Sequence, residues 1–456
     1  MIPTAILAII INVGQLAPAR VTIVRTGDSF EATYALPRDA VTWGFFRTGA
    51  ASDGKQPWRL RSWTVLTPGV RLVHRGRYDA LVATRAGATV PRTVRVRVTP
   101  FTRDLVSDYV PALRLGRDGV ALFDGHFSIF PLSPPNRLET LPLDLSGTAY
   151  RTMSTRVSFT GQSGHVRLAG DIDGYAKGDS EGTYGLFDVP AAVNANGMAT
   201  VVDPQLPARL ADDIRDFTPR VLDRYASLLG GSGAVRPTVL ASWAGSDLPG
   251  ASLNGGVLKG LVLLRISGQS ALGDNPRLRT FARAFIAHES AHFWLGQSID
   301  VRRRDDRWII EGGADLLAFR AAAALTPPFD ATAQLQGSLD RCLVSSAKGP
   351  LGDAGEDDET AAWYACGAIL SRVAERAARD DFPAFYRRLA AAAGPDHKID
   401  AAIWLATLDR YRPGLSSRIR VLLARAQPTP ANWIALLEAA AVPLRRRPDG
   451  TPELLP

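Results

Sequence analysis

The feature that most constrains this chain is a pair of histidines around a glutamate in the stretch 281–315. His288, Glu289 and His292 form an H-E-x-x-H pattern. On an α-helix, residues at i and i+4 share one face, so the two imidazoles would point at one spot with the spacing that a zinc ion requires. The pattern therefore predicts a helix that carries two metal ligands, with Glu289 close enough to act on a water molecule at the metal.

A third ligand is predicted at Glu311, which follows His292 after 18 intervening residues. That length of chain is enough to leave the first helix, cross a connection and begin a second helix that faces the first. A catalytic zinc site has three protein ligands and one open position. We therefore predict that His288, His292 and Glu311 bind one Zn²⁺ per chain and leave the fourth position to water.

The flanks of the motif favour this arrangement. Asn275 followed by Pro276 is typical of a helix start, and Gly296 is typical of a helix end. The alternative is an ordinary surface helix that carries H-E-x-x-H by chance. Only six histidines occur in the chain, however, and two of them have the metal spacing in an otherwise apolar helix. Burial of such a charged trio would be costly unless the side chains were paired or bound to a metal.

Composition places the chain among ordinary globular proteins. Its 456 residues leave room for two or three domains, and 46% hydrophobic with 21% charged residues is an average balance. The net charge of +8 comes from arginines that are scattered along the chain rather than gathered in one tract. We interpret this as general basic character and predict no nucleic-acid partner.

The N-terminus predicts export. Residues 2–11 are apolar, and Ala17-Pro18-Ala19 is a small-x-small pattern suited to cleavage, so residues 1–19 are a predicted signal peptide. The run is too short for a membrane span, so no stable membrane insertion is expected after cleavage. The protein would then be periplasmic or secreted. No Lys or Arg precedes the apolar run, which leaves a first β-strand and a cytoplasmic protein as the alternative.

Two cysteines, Cys342 and Cys366, fall in the same half of the chain as the histidine motif. In an exported protein they could form one disulfide, whereas in a cytosolic protein they would stay free.

Residues 20–205 are predicted to form a β-rich domain. Val94, Val96 and Val98 alternate with arginines, as in a half-buried strand, and 58–65 has a similar period. Short apolar runs separated by turn residues favour a sandwich or saddle of sheets. Asp171, Asp173 and Asp179 miss the spacing of a calcium loop and are interpreted as turn residues.

Residues 206–456 are predicted to hold a small sheet and many helices. One helix is expected through Asp216 and a second from Pro219 to Leu229, followed by buried strands at 237–243 and 256–266. Apolar spacing near 3.6 predicts further helices at 308–325, 331–346, 359–379, 383–393, 401–411, 416–426 and 432–441.

Three blocks of this half resemble the aminopeptidase N-like gluzincin family of zinc metallopeptidases. Residues 286–296 look like its zinc helix, 308–315 look like its W-L-N-E-G-F-A-E block, and Tyr364 to Ala368 is similar to its Y-x-K-G-A motif. The resemblance implies an α+β chain, in which an N-terminal all-β domain precedes a thermolysin-like catalytic domain that ends in a helical bundle. It also implies hydrolysis of peptide bonds in peptide or protein substrates.

The resemblance also assigns roles to single residues. It implies that Glu289 is the general base, that Tyr364 stabilises the oxyanion, and that Asp315 orients a zinc-binding histidine. Tyr364 could instead be a packing residue beside Trp363, and Asp315 a solvated helix residue. His74, His126, His165 and His397 are interpreted as structural or exposed.

Two departures from the family pattern bear on specificity. The family's G-x-M-E-N strand, whose glutamate binds a free amino group, corresponds here to 254–262, with Val257 at the glutamate position. Gly255, Gly256 and Val257 are therefore predicted to pair with an extended substrate without binding an N-terminal amine, so a standard aminopeptidase is not expected. Cys366 replaces the lysine of Y-x-K-G-A. A family-like scaffold that binds a partner and cleaves nothing is the alternative.

Overall fold

A computed structural model describes residues 17–54, 56–106, 108–132, 137–142, 145, 148–161, 166–168, 177–178, 182–195, 198–230, 237–354, 360–424 and 428–456. The chain divides into two compact units, Met1–Val189 and Pro190–Pro456. Most of the predicted signal peptide, His165 and the three aspartates at 171, 173 and 179 lie outside the described residues.

The first unit is built from three β-sheets. Its strands are β1 (Ala19–Thr26), β2 (Ser29–Ala35), β3 (Thr42–Phe45), β4 (Trp63–Val65), β5 (Val70–Arg75), β6 (Tyr78–Ala83), β7 (Thr93–Val98), β8 (Ala112–Leu115), β9 (Gly119–Phe123), β10 (Ile129–Leu132), β11 (Thr155–Thr160), β12 (Arg167–Leu168), β13 (Lys177–Gly178) and β14 (Tyr184–Phe187). The sheet orders are β13-β11-β1-β2-β7-β4, β10-β3-β6-β5 and β12-β14-β9-β8.

Strand β7 follows the predicted alternation, because Val94, Val96 and Val98 are buried between exposed arginines. The segment 58–65 departs from its prediction. It forms a short helix, α1 (Trp58–Ser62), before β4 begins. Trp58 and Arg59 are adjacent and both buried, whereas successive side chains of a strand point to opposite faces. A helical turn lets both side chains enter the core.

The second unit contains a five-stranded sheet in the order β15-β16-β17-β19-β18. Its strands are β15 (Val193–Ala195), β16 (Met198–Val202), β17 (Thr238–Trp243), β18 (Ser252–Leu258) and β19 (Leu261–Ser267). The compact units divide between 189 and 190, and β16 belongs to the second unit because it pairs in parallel with β17. The predicted strand at 256–266 is a hairpin of β18 and β19, whose turn contains Gly260 at a φ of 68°.

Helices make up most of the second unit. They are α2 (Ala208–Leu229), α3 (Pro276–Ala291), α4 (Trp308–Leu325), α5 (Ala331–Ser346), α6 (Ala361–Ala377), α7 (Phe382–Ala392), α8 (Ala401–Asp409), α9 (Leu415–Ala424) and α10 (Pro430–Ala439). The second unit also contains two short strand pairs: β20 (Asp300–Val301) with β21 (Lys398–Ile399), and β22 (Leu444–Arg446) with β23 (Pro452–Leu454).

Helix α2 was predicted as two helices and is one, with Pro219 inside it. Its buried face continues on both sides of the proline through Ile214, Phe217, Val221 and Tyr225. Core packing therefore outweighs the loss of one backbone hydrogen bond.

The architecture confirms a mixed α+β chain, with a β-rich N-terminal unit followed by a unit of one small sheet and many helices. Across the described ranges, none of the helices has the length and apolar character needed to span a bilayer.

Candidate metal centre

Helix α3 carries the histidine motif at its C-terminal end. The side-chain Oδ1 of Asn275 accepts a hydrogen bond from Leu278 N at 3.1 Å, and Pro276 is the first helical residue. Both features agree with the helix start that the sequence predicts. His288 and Glu289 lie in the last turn, and His292 is the C-cap. The helix therefore ends at the motif itself, four residues before the glycine that was expected to end it.

Helix α4, which carries Glu311, crosses α6, which carries Tyr364, at very short range. A Cβ on Gly312 would lie 1.9 Å from the backbone carbon of Gly367, and a Cβ on Gly367 would lie 2.2 Å from the carbonyl oxygen of Trp308. Only glycine fits at both positions. Glu311 precedes one glycine and Tyr364 lies one turn before the other, so the crossing fixes these two side chains relative to each other.

Three ligand atoms converge at the end of α3. His288 Nε2 and His292 Nε2 are 3.1 Å apart. Glu311 Oε2 lies 3.6 Å from the first nitrogen and 3.4 Å from the second. Ligand atoms bound to one tetrahedral zinc at 2.0–2.1 Å are separated by about 3.3 Å. The trio thus has the spacing of three ligands of one ion, and among the described residues it is the group of side chains that could hold a metal.

Hydrogen bonds at the outer ring nitrogens determine which histidine atoms are free to bind a cation. His292 Nδ1 lies 2.8 Å from the carbonyl oxygen of Leu295, and that oxygen can only accept a hydrogen bond. His288 Nδ1 lies 2.8 Å from Asp315 Oδ1. Each Nδ1 therefore donates its proton outward, and each Nε2 directs a lone pair inward. Two lone pairs only 3.1 Å apart repel each other unless a cation lies between them.

Glu311 completes the fit to a cation. Its Oε2 is buried, and no described residue donates a hydrogen bond to it. Burial opposes ionisation, but in the metal-free site the positive charges of protonated His292 and His288 lower the pKa of Glu311 well below its usual value, and a bound cation would take the place of those protons. An ionised, buried oxygen beside two nitrogen lone pairs is a donor set that suits Zn²⁺.

Glu289 lies among these charges but is not one of the three ligands. Its side chain is buried, and burial raises its pKa, while His288 and His292 oppose that rise. A carboxyl group whose pKa is shifted toward neutrality can both accept and return a proton.

Tyr364 faces the same site. Its ring stacks on the His288 ring with centroids 5.7 Å apart and an interplanar angle of 29°. Burial and the negative charges of Glu311 and Glu289 raise the pKa of its hydroxyl. The phenol therefore keeps its proton at neutral pH and can donate a hydrogen bond.

The predicted substrate strand is β18, an edge strand of the sheet. A Cβ on Gly255 would lie 2.8 Å from Cζ of Phe285, which is on the zinc helix one turn before Glu289. Gly256 and Val257 pair with Leu263 and Val262 of β19. The strand thus packs on α3 through Gly255, and Val257 in the same strand is apolar.

Cys342 of α5 and Cys366 of α6 form a disulfide with a Cα–Cα distance of 4.7 Å. The bond ties α5 to the helix that carries Tyr364. Of the two alternatives for these cysteines, a disulfide or two free thiols, the structure has the disulfide.

Three of the described histidines, His74, His126 and His397, are not members of this trio. His74 Nδ1 lies 2.8 Å from Asp79 Oδ1, His126 is fully buried, and His397 is exposed.

Sequence reasoning missed two contributors to the site. One is the Leu295 carbonyl, which has no side-chain signal because a backbone atom provides it. The other is Arg307, whose Nη1 lies 3.6 Å from Glu311 Oε1. Its position four residues before Glu311 could have revealed it, because such residues are neighbours on a helix surface.

No protein-family model matches the sequence, and no curated protein matches it. Solved structures similar to this chain include an M1 zinc metallopeptidase from Deinococcus radiodurans, with 16% identity, coverage of 91% of this chain and 93% of that chain, and a TM-score of 0.46. A mutant of that protein bound to a Tyr-Ser-Ala substrate has 16% identity, coverage of 91% and 94%, and a TM-score of 0.46. The assignment of a reaction to this chain rests on the residues of its own site.

Proposed function

We propose that this chain is a zinc-dependent metallopeptidase of the aminopeptidase N-like gluzincin type that hydrolyses peptide bonds. The observation that carries the proposal is the convergence of three electron-pair donors, His288 Nε2, His292 Nε2 and Glu311 Oε2, within 3.1–3.6 Å of one another. A buried glutamate and a protonated tyrosine lie beside them, as hydrolysis of an amide requires.

Each group of residues has its own role in the proposed hydrolysis. Zinc, when bound by the trio, supplies a Lewis acid that brings the pKa of water close to neutrality. The Glu289 carboxylate takes a proton from the attacking water and then passes it to the nitrogen of the leaving amine. The Tyr364 hydroxyl donates a hydrogen bond to the oxygen of the tetrahedral intermediate, where negative charge develops.

The substrate is proposed to lie along β18 as an extended strand, and the enzyme is not proposed to be a standard aminopeptidase. An edge strand has backbone groups that can pair with a peptide. Val257 offers no charge to a free N-terminal amine. Peptides or proteins are the proposed substrates, and nucleic acid is not a proposed partner.

Export is proposed from two features. Residues 1–19 have the pattern of a signal peptide. The Cys342–Cys366 disulfide is the state expected in an oxidising compartment. A periplasmic or secreted enzyme accounts for both.

The test uses the purified zinc-loaded chain with casein, blocked peptides and amino-acid amides as substrates. Glu289→Gln should retain one zinc per chain by elemental analysis and lose about 10²- to 10⁴-fold in kcat/KM, because the general base is gone. Tyr364→Phe should lose about 10²- to 10³-fold. Glu438→Gln, at a half-exposed carboxylate, is the control and should behave as the wild type.

The outcomes separate the alternatives. Stoichiometric zinc without cleavage of any substrate would favour a binding scaffold. Cleavage that survives in Glu289→Gln would contradict the mechanism. If free N-terminal amino-acid amides were the best substrates, the interpretation of Val257 would be wrong.

A further inference from the structure

Arg307 places a half-exposed cation beside the metal ligands. Its Nη1 lies 3.6 Å from Glu311 Oε1, and its side chain is 50% exposed. The other oxygen of the same carboxylate, Oε2, faces the two histidine nitrogens. The Oε2 atom of Glu311 therefore faces the position where a metal would bind, and its Oε1 atom faces the Arg307 guanidinium.

The contact between Arg307 and Glu311 is not a closed ion pair. Charge-assisted hydrogen bonds are about 2.7–2.9 Å long. Further along α4, Arg320 forms such a pair with Glu375, with two nitrogen–oxygen distances of 2.8 and 2.7 Å. Arg307 is farther from its carboxylate and keeps hydrogen-bond donors for another partner. A partly exposed pair at this separation also contributes little to stability, so fold stability gives a weak reason for an arginine here.

Charge at this point favours an anionic ligand. The carboxylates of Glu289 and Asp315 are mostly buried, whereas the Arg307 guanidinium is half exposed, so the charge that is open to solvent beside Glu311 is positive. A carboxylate is the group whose shape matches the planar guanidinium.

Distance limits where that carboxylate can be. Each carboxylate oxygen is about 1.2 Å from its carbon, so Arg307 Nη1 lies within roughly 6 Å of Glu311 Oε2. Consecutive Cα atoms of a peptide are about 3.8 Å apart. A carboxylate on a residue next to the scissile bond would therefore reach the guanidinium while the scissile carbonyl lies at the metal.

We propose that Arg307 binds a carboxylate of the substrate, carried by a residue adjacent to the scissile bond. The inference rests on the proposed peptidase function and adds a substrate class to it: peptides with a negative charge next to the cleaved bond. The carboxylate is either the C-terminal one or an acidic side chain.

The test measures binding rather than turnover. The zinc-loaded Glu289→Gln variant is titrated calorimetrically with N-acetyl-trialanine and with its C-terminal amide. A second pair, N-acetyl-dialanyl-glutamate amide and the corresponding glutamine amide, tests a side-chain carboxylate. In at least one pair the acid form should bind about 10- to 100-fold more tightly, as expected for a hydrogen-bonded charge. The pair that discriminates identifies the source of the carboxylate.

Adding Arg307→Gln should abolish this discrimination, and Arg307→Lys should retain part of it because the charge remains. Arg303→Gln is the matched control, since Arg303 is 69% exposed and pairs with Asp305 at 2.9 Å. Zinc content is measured for each variant, so that a loss of metal is distinguished from a loss of carboxylate binding.

Equal binding of acid and amide forms in both pairs would overturn the inference and leave the proposed function standing, and so would discrimination that survives in Arg307→Gln with its zinc retained. If none of the four probes bound the zinc-loaded protein and no peptide were cleaved by the wild type, the proposed function would fail and the inference with it.

Discussion

At the scale of single residues, the two histidines of the trio are oriented by different kinds of hydrogen-bond partner. His292 donates to a backbone carbonyl, which no side-chain substitution removes. His288 depends on Asp315, whose Oδ1 lies 2.8 Å from its Nδ1. A carboxylate partner fixes the tautomer and makes the ligating nitrogen more basic. The aspartate is therefore the residue through which metal affinity can be changed without altering a ligand.

We expect Asp315→Ala to weaken zinc binding by about 10- to 100-fold. The reason is that His288 would lose the acceptor that keeps its Nε2 free for the metal. Competition with a chelator of known affinity measures the change. Asp340→Ala, at a half-exposed aspartate on α5, is the control. An unchanged dissociation constant for zinc would contradict the assigned role.

The convergence of the two imidazoles could be predicted from the sequence because helical periodicity is a local property. His288 and His292 share a face through the i, i+4 rule, and Asp315 follows Glu311 by one turn. The Leu295 carbonyl could not be predicted, since every residue carries the same group. The distance between Arg307 and Glu311 also depends on a rotamer that spacing alone does not determine.

At the scale of elements, the crossing of α4 and α6 depends on Gly312 and Gly367. Gly312 lies near the start of α4, and its missing side chain lets the backbone of α6 approach closely. A glycine inside a helix is intrinsically unfavourable. Its presence in both helices at the same crossing therefore indicates that close approach matters more here than helix propensity.

Gly312→Ala should destabilise the protein by about 3 kcal/mol or more, because the new Cβ would lie 1.9 Å from the Gly367 backbone, which has no flexible atom to move aside. Gly337→Ala in α5 is the matched control, since its Cβ would meet only the end of the Arg341 side chain at 3.4 Å. That substitution should stabilise the protein by about 0.5–1 kcal/mol. Chemical denaturation of both variants measures the difference, and equal stabilities would contradict the role of the crossing.

Elements were predictable where the local pattern and the packing agree. The bounds of α4 and α5 match their predictions because apolar periodicity, helix propensity and burial coincide along them. The prediction was wrong at Pro219 and at 58–62, where burial decides against a local signal. Trp58 and Arg59 are both buried in a core assembled from strands distant in sequence, which a window of eight residues cannot reveal.

At the scale of the whole molecule, the described hydrophobic core residues of the first unit are distinct from those of the second. A buried histidine in the first unit makes the free energy of unfolding depend on pH. The first unit encloses His126 completely, with Nε2 hydrogen-bonded to the Tyr109 carbonyl at 2.9 Å. Burial lowers the pKa of His126 to about 4, below the value of about 6.5 for an unfolded chain. As the pH falls below 6.5, the unfolded state binds a proton that the folded state does not.

The stability that His126 gives the protein should therefore be constant above pH 6.5 and decrease toward pH 4, by about 3 kcal/mol in total. His126→Gln removes this titration while keeping a donor for the Tyr109 carbonyl. The difference in unfolding free energy between wild type and variant should shrink as the pH falls from 7.5 to 4. His397→Asn, at an exposed histidine with a φ of 54° that asparagine tolerates, is the control. A difference independent of pH would contradict the prediction.

The Cys342–Cys366 bond has a consequence for the protein when proteases attack it. It closes a loop of 24 residues in sequence separation, and that loop includes Lys348, an exposed basic residue of the kind that trypsin-like enzymes recognise. A single cut after Lys348 would separate the chain into two polypeptides, with the zinc ligands on one and Tyr364 on the other. The disulfide would keep these two polypeptides in one molecule, so a nicked protein could retain a complete site for as long as the bond remained oxidised.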